Sequence, residues 1–162
     1  MLSPAELLPG DVLVERGSGF PAWLVRWLTN SPYTHVALAL GGGQIAEIGA
    51  TFPARVIPFR PSDWTVLRYS GLSLDQQARM IRWCRSRLGR RYDWAAIWEL
   101  GVRLWGGVHA CLESRRRYIC TELVLEAYEA AGIDLVPPGC DILTPAEVAA
   151  LPGLHLVDRG VA

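Results

Sequence analysis

Lysine is absent from this sequence: all 16 basic side chains are arginine. That excludes a Schiff-base or other lysine-dependent mechanism. Net charge is absent too, because 16 acidic residues offset the 16 basic ones. The chain therefore lacks the basic excess by which proteins that hold nucleic acid neutralise phosphates, and no nucleic-acid partner is expected. No window holds about 18 uninterrupted apolar residues, the length a membrane helix needs, so no transmembrane segment is expected. The nearest approach, Trp94 to Val108, is broken by Glu99 and Arg103. Met1 to Asp11 shows no basic leader followed by an apolar segment, which makes cytoplasmic residence the default and leaves other export routes open. Cysteine is scarce: Cys84, Cys111, Cys120 and Cys140 form no Cys-x-x-Cys pair, and reduced thiols are expected. Low-complexity tracts are missing as well. What remains is 162 residues, 51% of them hydrophobic, enough for one domain over 1–162 with its own core.

The first half reads as strands. Pro9-Gly10 turns the chain into Asp11 to Glu15, and Trp23 to Leu28 follows with helical spacing until Asn30-Ser31-Pro32 ends it. His35 to Leu40, Gln44 to Gly49, Arg55 to Phe59 and Thr65 to Tyr69 alternate with turn residues. The second half reads as helices. Ser73-Leu74-Asp75-Gln76 is a capping box opening a helix to about Leu88, with Met80, Ile81, Cys84 and Leu88 as its apolar stripe. A second helix runs from Asp93 to about Trp105, a third from Cys120 to Ala131, and Thr144-Pro145-Ala146-Glu147 repeats the cap chemistry of Ser3-Pro4-Ala5-Glu6. Strands first and helices later predict an α+β domain with an antiparallel sheet.

Two constellations carry chemistry. With Gly41-Gly42-Gly43 as a hairpin loop, Leu40 faces Gln44, Ala37 faces Glu47 and His35 faces Gly49. His35 and Glu47 then share a sheet face as diagonal neighbours, roughly 7–8 Å apart at the backbone and within side-chain reach. That suits an imidazole oriented by a carboxylate, although a surface His and a surface Glu would show the same pattern. Cys120 opens the third helix, where the dipole and unpaired N–H groups favour a thiolate, with Arg115, Arg116 and Arg117 just upstream. A core cysteine beside a solvated loop fits that position equally well. Cys84 sits among apolar neighbours and reads as core. His109-Ala110-Cys111 with Cys120 lacks a fourth ligand at usable spacing, so no metal and no cofactor is expected. No phosphate-binding glycine loop is present.

Pro9-Gly10-Asp11-Val12-Leu13, Ser31-Pro32-Tyr33-Thr34-His35-Val36-Ala37-Leu38, Glu47, Gly89-Arg90-Arg91-Tyr92-Asp93 and Tyr118-Ile119-Cys120-Thr121-Glu122-Leu123-Val124 follow one another in that order. Together they resemble the circularly permuted, YiiX/YebB-like branch of the NlpC-type cysteine hydrolases, with matches from Pro9 to Pro145. The resemblance implies a permuted papain-like fold, in which an antiparallel sheet carries packed helices and the catalytic Cys sits at a helix N-terminus. It implies Cys120 as nucleophile, His35 as general base and Glu47 as the residue orienting the imidazole. It also implies that Tyr33 lines the site and that Tyr92 and Tyr118 lie beside the substrate cleft. Thr121 stands where Ser is common. The implied activity is thiol-dependent hydrolysis of an amide bond through an acyl-enzyme, in a cell-wall peptide or peptidoglycan fragment.

Two other functions compete. Relatives of lecithin retinol acyltransferase share the permuted order, so acyl transfer or deacylation on a lipid is one. Trp94, Trp98 and Trp105 would stripe one helix and Trp23 and Trp27 would pair on another, although such stripes are ordinarily core. A non-catalytic binding module is the other, and an intact Cys120, His35 and Glu47 speak against it.

Overall fold

Val12, Leu13 and Val14 are fully buried in β1 (Val12–Glu15). Three consecutive apolar residues suit a strand covered on both faces. The computed structural model describes residues 2–17, 22–23, 26–27, 30–61, 64–92, 119–136 and 143–159. The strands that follow are β2 (His35–Gly41), β3 (Gln44–Gly49), β4 (Phe52–Pro58), β5 (Trp64–Tyr69) and β6 (Leu154–Arg159). They form one sheet in the order β4-β3-β2-β1-β5-β6, with every neighbouring pair antiparallel. Helices α1 (Leu74–Ser86), α2 (Cys120–Ala130) and α3 (Pro145–Ala149) complete an α+β architecture, as the sequence pattern predicts.

Strand alternation divides the core in two. Val12, Val14, Val36, Leu38, Ala46 and Ile48 pack with Leu123, Val124, Ala127 and Tyr128 of α2 and with Met80 and Cys84 of α1. Leu13, Ala37, Ala39, Ile45 and Val66 form a second cluster, covered by Leu7 and Phe59. Helix α2 packs on β2, β3 and α1. Its Tyr128 is fully buried and donates its hydroxyl to the Gly10 carbonyl at 2.6 Å. Tyr128→Phe leaves that buried carbonyl without this donor and should cost about 1–2 kcal/mol in urea unfolding.

Two of the caps hold where they were read. Ser73 and Gln76 close a capping box on α1, and Thr144 and Glu147 close one on α3. Three expectations change. Helix α1 ends at Ser86, and Leu88 is 46% exposed rather than part of the stripe. Strand β4 starts at Phe52, three residues earlier than expected, and carries Pro53 and Pro58. Proline lacks the ladder N–H, and β4 tolerates it because it is an edge strand. The hairpin tip also differs: Gly41, not Leu40, faces Gln44, and Gly42-Gly43 is a two-residue turn with φ of 60° and 68°. Such turns need positive φ at both central residues. An irregularity between Ala39 and Gly41 absorbs the one-residue difference, so Ala37 still faces Glu47. The predicted helix from Asp93 to Trp105, with Trp94, Trp98 and Trp105, lies outside the described residues.

Asp11 ties the central strand to β5. It is buried, and Arg68 grips both its oxygens, Nε to Oδ1 at 2.6 Å and Nη2 to Oδ2 at 2.7 Å. The Leu8 N–H adds a bond to Oδ2 at 2.8 Å. Arg68→Met would strand a buried carboxylate. Because Arg68 is partly exposed, the loss should be about 2–3 kcal/mol, read as a fall in melting temperature of roughly 5–10 °C.

Candidate active site

The approach to His35 is fixed by backbone anchors. Tyr33 N–H donates to Ser31 Oγ at 3.1 Å, Thr34 N–H to the Glu15 carbonyl at 2.9 Å, and Gly17 N–H to Thr34 Oγ1 at 2.8 Å. His35 then opens β2, paired with Glu15, which also faces Trp64 on β5. Glu47 sits between Ala37 on β2 and Arg55 on β4. By the two-residue period of a strand, His35 and Glu47 share a face. The pairing between β2 and β3 runs to Ala37 and Glu47, and on the other edge of β3 Gly49 is opposite Phe52.

The side chains meet. His35 Nε2 lies 3.1 Å from Glu47 Oε2, with the imidazole 15% and the carboxylate 5% exposed. Arg55 takes the other oxygen, placing Nε at 2.8 Å and Nη2 at 2.7 Å from Glu47 Oε1. Two aromatic rings flank the imidazole: Phe52 edge-on with centroids 6.1 Å apart, and Trp64 tilted at 6.0 Å. Gly49 makes room for Phe52, since a Cβ there would come within 2.5 Å of the ring. Sequence reasoning missed Phe52, Arg55 and Trp64. A charge pair directly across β3 and β4 is the signal that could have found Arg55.

Cys120 is the first residue of α2 and is 6% exposed. It lies close enough to the His35 ring to favour the charged form of the imidazole. Thus the first side chain of a helix meets the first side chain of a strand. The residue before it, Ile119, has no acceptor and supplies no side-chain cap, while its own N–H donates to Glu122 Oε2 at 2.9 Å. Both α1 and α3 use Ser or Thr at that position. The first-turn N–H groups of α2 therefore lack the side-chain acceptor that the other two helices provide.

Burial opposes charge on His35, but the hydrogen bonds and attraction of Cys120 and Glu47 outweigh it and push the imidazole up from 6.5 to about 10. Burial likewise opposes charge on Glu47, yet the hydrogen bonds of His35 and Arg55 hold its carboxyl below the ordinary 4.5. The raised imidazole contributes stability below 6.5 that is lost as pH climbs toward about 10. The lowered carboxyl contributes stability above 4.5 that is lost as pH falls. The melting temperature should therefore decline from pH 6.5 toward pH 10 in the native protein and more weakly in His35→Gln. Parallel curves for the two proteins would contradict this assignment.

The other expected residues are placed less directly. Tyr33 and Tyr92 pack against the cluster that contains Cys120. Burial raises the Tyr33 phenol, but hydrogen bonds with Arg16 and Thr65 bring it below 10. Tyr118, Cys111, Cys140 and the Arg115–Arg117 run lie outside the described residues. Cys84 is core, and burial pushes its thiol up to about 12.

Among solved structures, the chain is similar to the metalloprotein yiiX from Escherichia coli. The TM-score is 0.70 over 94% of this chain and 97% of that one, at 18% sequence identity. The likeness is one of fold. No protein-family model matches the sequence, and neither does any curated protein. Among the described residues, no three His, Cys, Asp or Glu side chains are grouped to hold a metal ion. Glu47 gives one oxygen to His35 and the other to the Arg55 guanidinium, a cation where a metal would have to bind. These residues do not fit a resident metal. No helix among them is long and apolar enough to cross a membrane.

Proposed function

We propose that this chain is a cysteine hydrolase that cleaves an amide bond through a Cys120–His35–Glu47 triad. The observation that carries this reading is the His35 ring, held by Glu47 at Nε2 and favoured in its charged form by the neighbouring Cys120. With Nε2 taken, Nδ1 is the nitrogen left for sulfur. The charged ring stands beside the nucleophile as its counter-ion, and Glu47 holds the ring's orientation and offsets its charge. The Cys120 thiolate attacks the acyl carbonyl, and backbone N–H groups of the first α2 turn receive the oxyanion. His35 protonates the departing amine, then takes a proton from the water that releases the acyl group from sulfur.

The yiiX-like fold and the resemblance of the motif blocks support this chemistry, and a peptide in the cell wall is the proposed substrate class. Incubation with muropeptides, followed by detection of new amines, tests it. Release that depends on Cys120 supports the reading, whereas no release from muropeptides or other peptide amides counts against it.

One observation favours a lipid acyl substrate instead. Trp23 and Trp27, expected to be core, stack at 6.3 Å and are 57% and 53% exposed. Exposed tryptophans with an apolar body and a polar edge suit a lipid–water boundary. If that reading holds, Trp23→Ala/Trp27→Ala should lose at least about tenfold in sedimentation with anionic vesicles, a loss a wall amidase would not show.

A further inference from the structure

Arg55 is the one arginine in contact with Glu47 among the described residues, and the contact is built from three sides. Its strand register places it directly opposite Glu47. Two of its nitrogens converge on Oε1, leaving Oε2 for His35. Its guanidinium carbon lies 3.7 Å from the centroid of the Phe52 ring, and the edge of that ring meets His35. Phe52 in turn occupies the space left by the missing side chain of Gly49. The carboxylate cannot rotate without breaking a contact to one neighbour or the other. Arg55 is 46% exposed, so it reaches a nearly buried carboxylate from the solvent side.

We infer that Arg55 is a positioning residue of the hydrolase, fixing the Glu47 carboxylate so that a single oxygen faces His35. This rests on the triad reading and extends it to a fourth side chain, with Phe52 as the platform that aims the guanidinium. Arg55 touches neither the nucleophile nor the reacting carbonyl. It acts through Glu47. An arginine fork fits a carboxylate better than a lysine does, because its planar donors fix direction as well as charge.

Among the described residues, the titratable and charged groups around the pair are few. His35 faces Glu47 from β2 and Arg55 faces it from β4. Cys120 on α2 is reached through the imidazole, and Glu15 on β1 pairs across from His35. Without Arg55, Glu47 has only His35 as a charged hydrogen-bond partner, so it should take up a proton at higher pH. A protonated Glu47 no longer supports the imidazolium, and Cys120 loses reactivity on the acid side.

The test is the pH profile of Cys120 alkylation by iodoacetamide in the full chain, compared among the native protein, Arg55→Gln, Arg55→Lys and Glu47→Gln. Melting temperatures identify any variant that has lost its fold. In Arg55→Gln the acid midpoint should rise by about one pH unit, and the rate at pH 6 should fall about tenfold, an opposite charge within contact being worth that much. Arg55→Lys should restore the acid midpoint through its charge but recover only part of the rate. Coincident profiles for Arg55→Gln and the native protein, with a shifted profile for Glu47→Gln, would overturn the role of Arg55 and leave the triad intact. If Glu47→Gln also matches the native profile, the triad reading itself fails. A folded Arg55→Lys that behaves like Arg55→Gln would show that the charge alone does not set the midpoint.

Discussion

Cys120→Ala is expected to lose all hydrolysis above background, a fall of about 10⁴-fold or more, while keeping the native fold. Removing a nucleophile ends covalent chemistry outright, whereas the helix that carries it is held by other residues. Leu123, Val124, Ala127 and Tyr128 remain buried, and the Tyr128 bond to Gly10 is untouched. The same variant should lose the labelling that iodoacetamide gives near neutral pH. Cys84 cannot substitute, because it is 1% exposed and its thiol is pushed up to about 12. Labelling at Cys84, Cys111 or Cys140 that survives in Cys120→Ala, together with retained hydrolysis, would remove Cys120 from the chemistry. Peptide mapping of the labelled protein decides the matter.

His35→Ala should cost about 10³–10⁴-fold in kcat/KM, since it removes the proton carrier proposed for both chemical steps. Its effect on labelling is more diagnostic. In the native protein the imidazole stays charged well past neutrality, being raised to about 10, so Cys120 has a cationic partner across the neutral range. Without the ring, alkylation at pH 6–7 should drop at least about tenfold and recover only on the alkaline side, as for a solitary thiol. Exogenous imidazole should restore part of the rate, because the space vacated between Phe52 and Trp64 is ring-shaped. A variant whose labelling profile matches the native one would show that His35 and Cys120 do not act together.

Much of the fold can be read from short stretches. Serine and threonine caps with a Gln or Glu three residues later mark α1 and α3, because a cap is a contract among four residues. Strand β3 was legible to the residue because its run is bounded by glycines. The site was partly legible for the same reason. His35 and Glu47 belong to one hairpin, and their shared face follows from a register that a bulge happened to preserve. Had the loop differed by one residue without that bulge, the two would lie on opposite faces.

Other features had no local signature. Strand β6 pairs with β5 across some eighty-five residues, and Leu156 and Val157 are exposed on it, so its apolar residues do not mark a buried strand. Leu88 continues the stripe of α1 in sequence but lies past the end of the helix, where it meets water. Trp23 and Trp27 look like core residues and are more than half exposed.

The missing lysines determined from the start that any fixed cation in this protein is an arginine or a charged histidine. The sequence alone also determined the caps, the hairpin and the helix-start position of Cys120, since each depends on neighbours within a few residues. Only the tertiary structure decided which of those cations matter to the site. It selected Arg55 by laying β4 beside β3, and it favoured a charged His35 by bringing Cys120, eighty-five residues away, near its ring. Register and helix packing set those distances, and charge interactions fall off too steeply with distance for sequence spacing to reveal them.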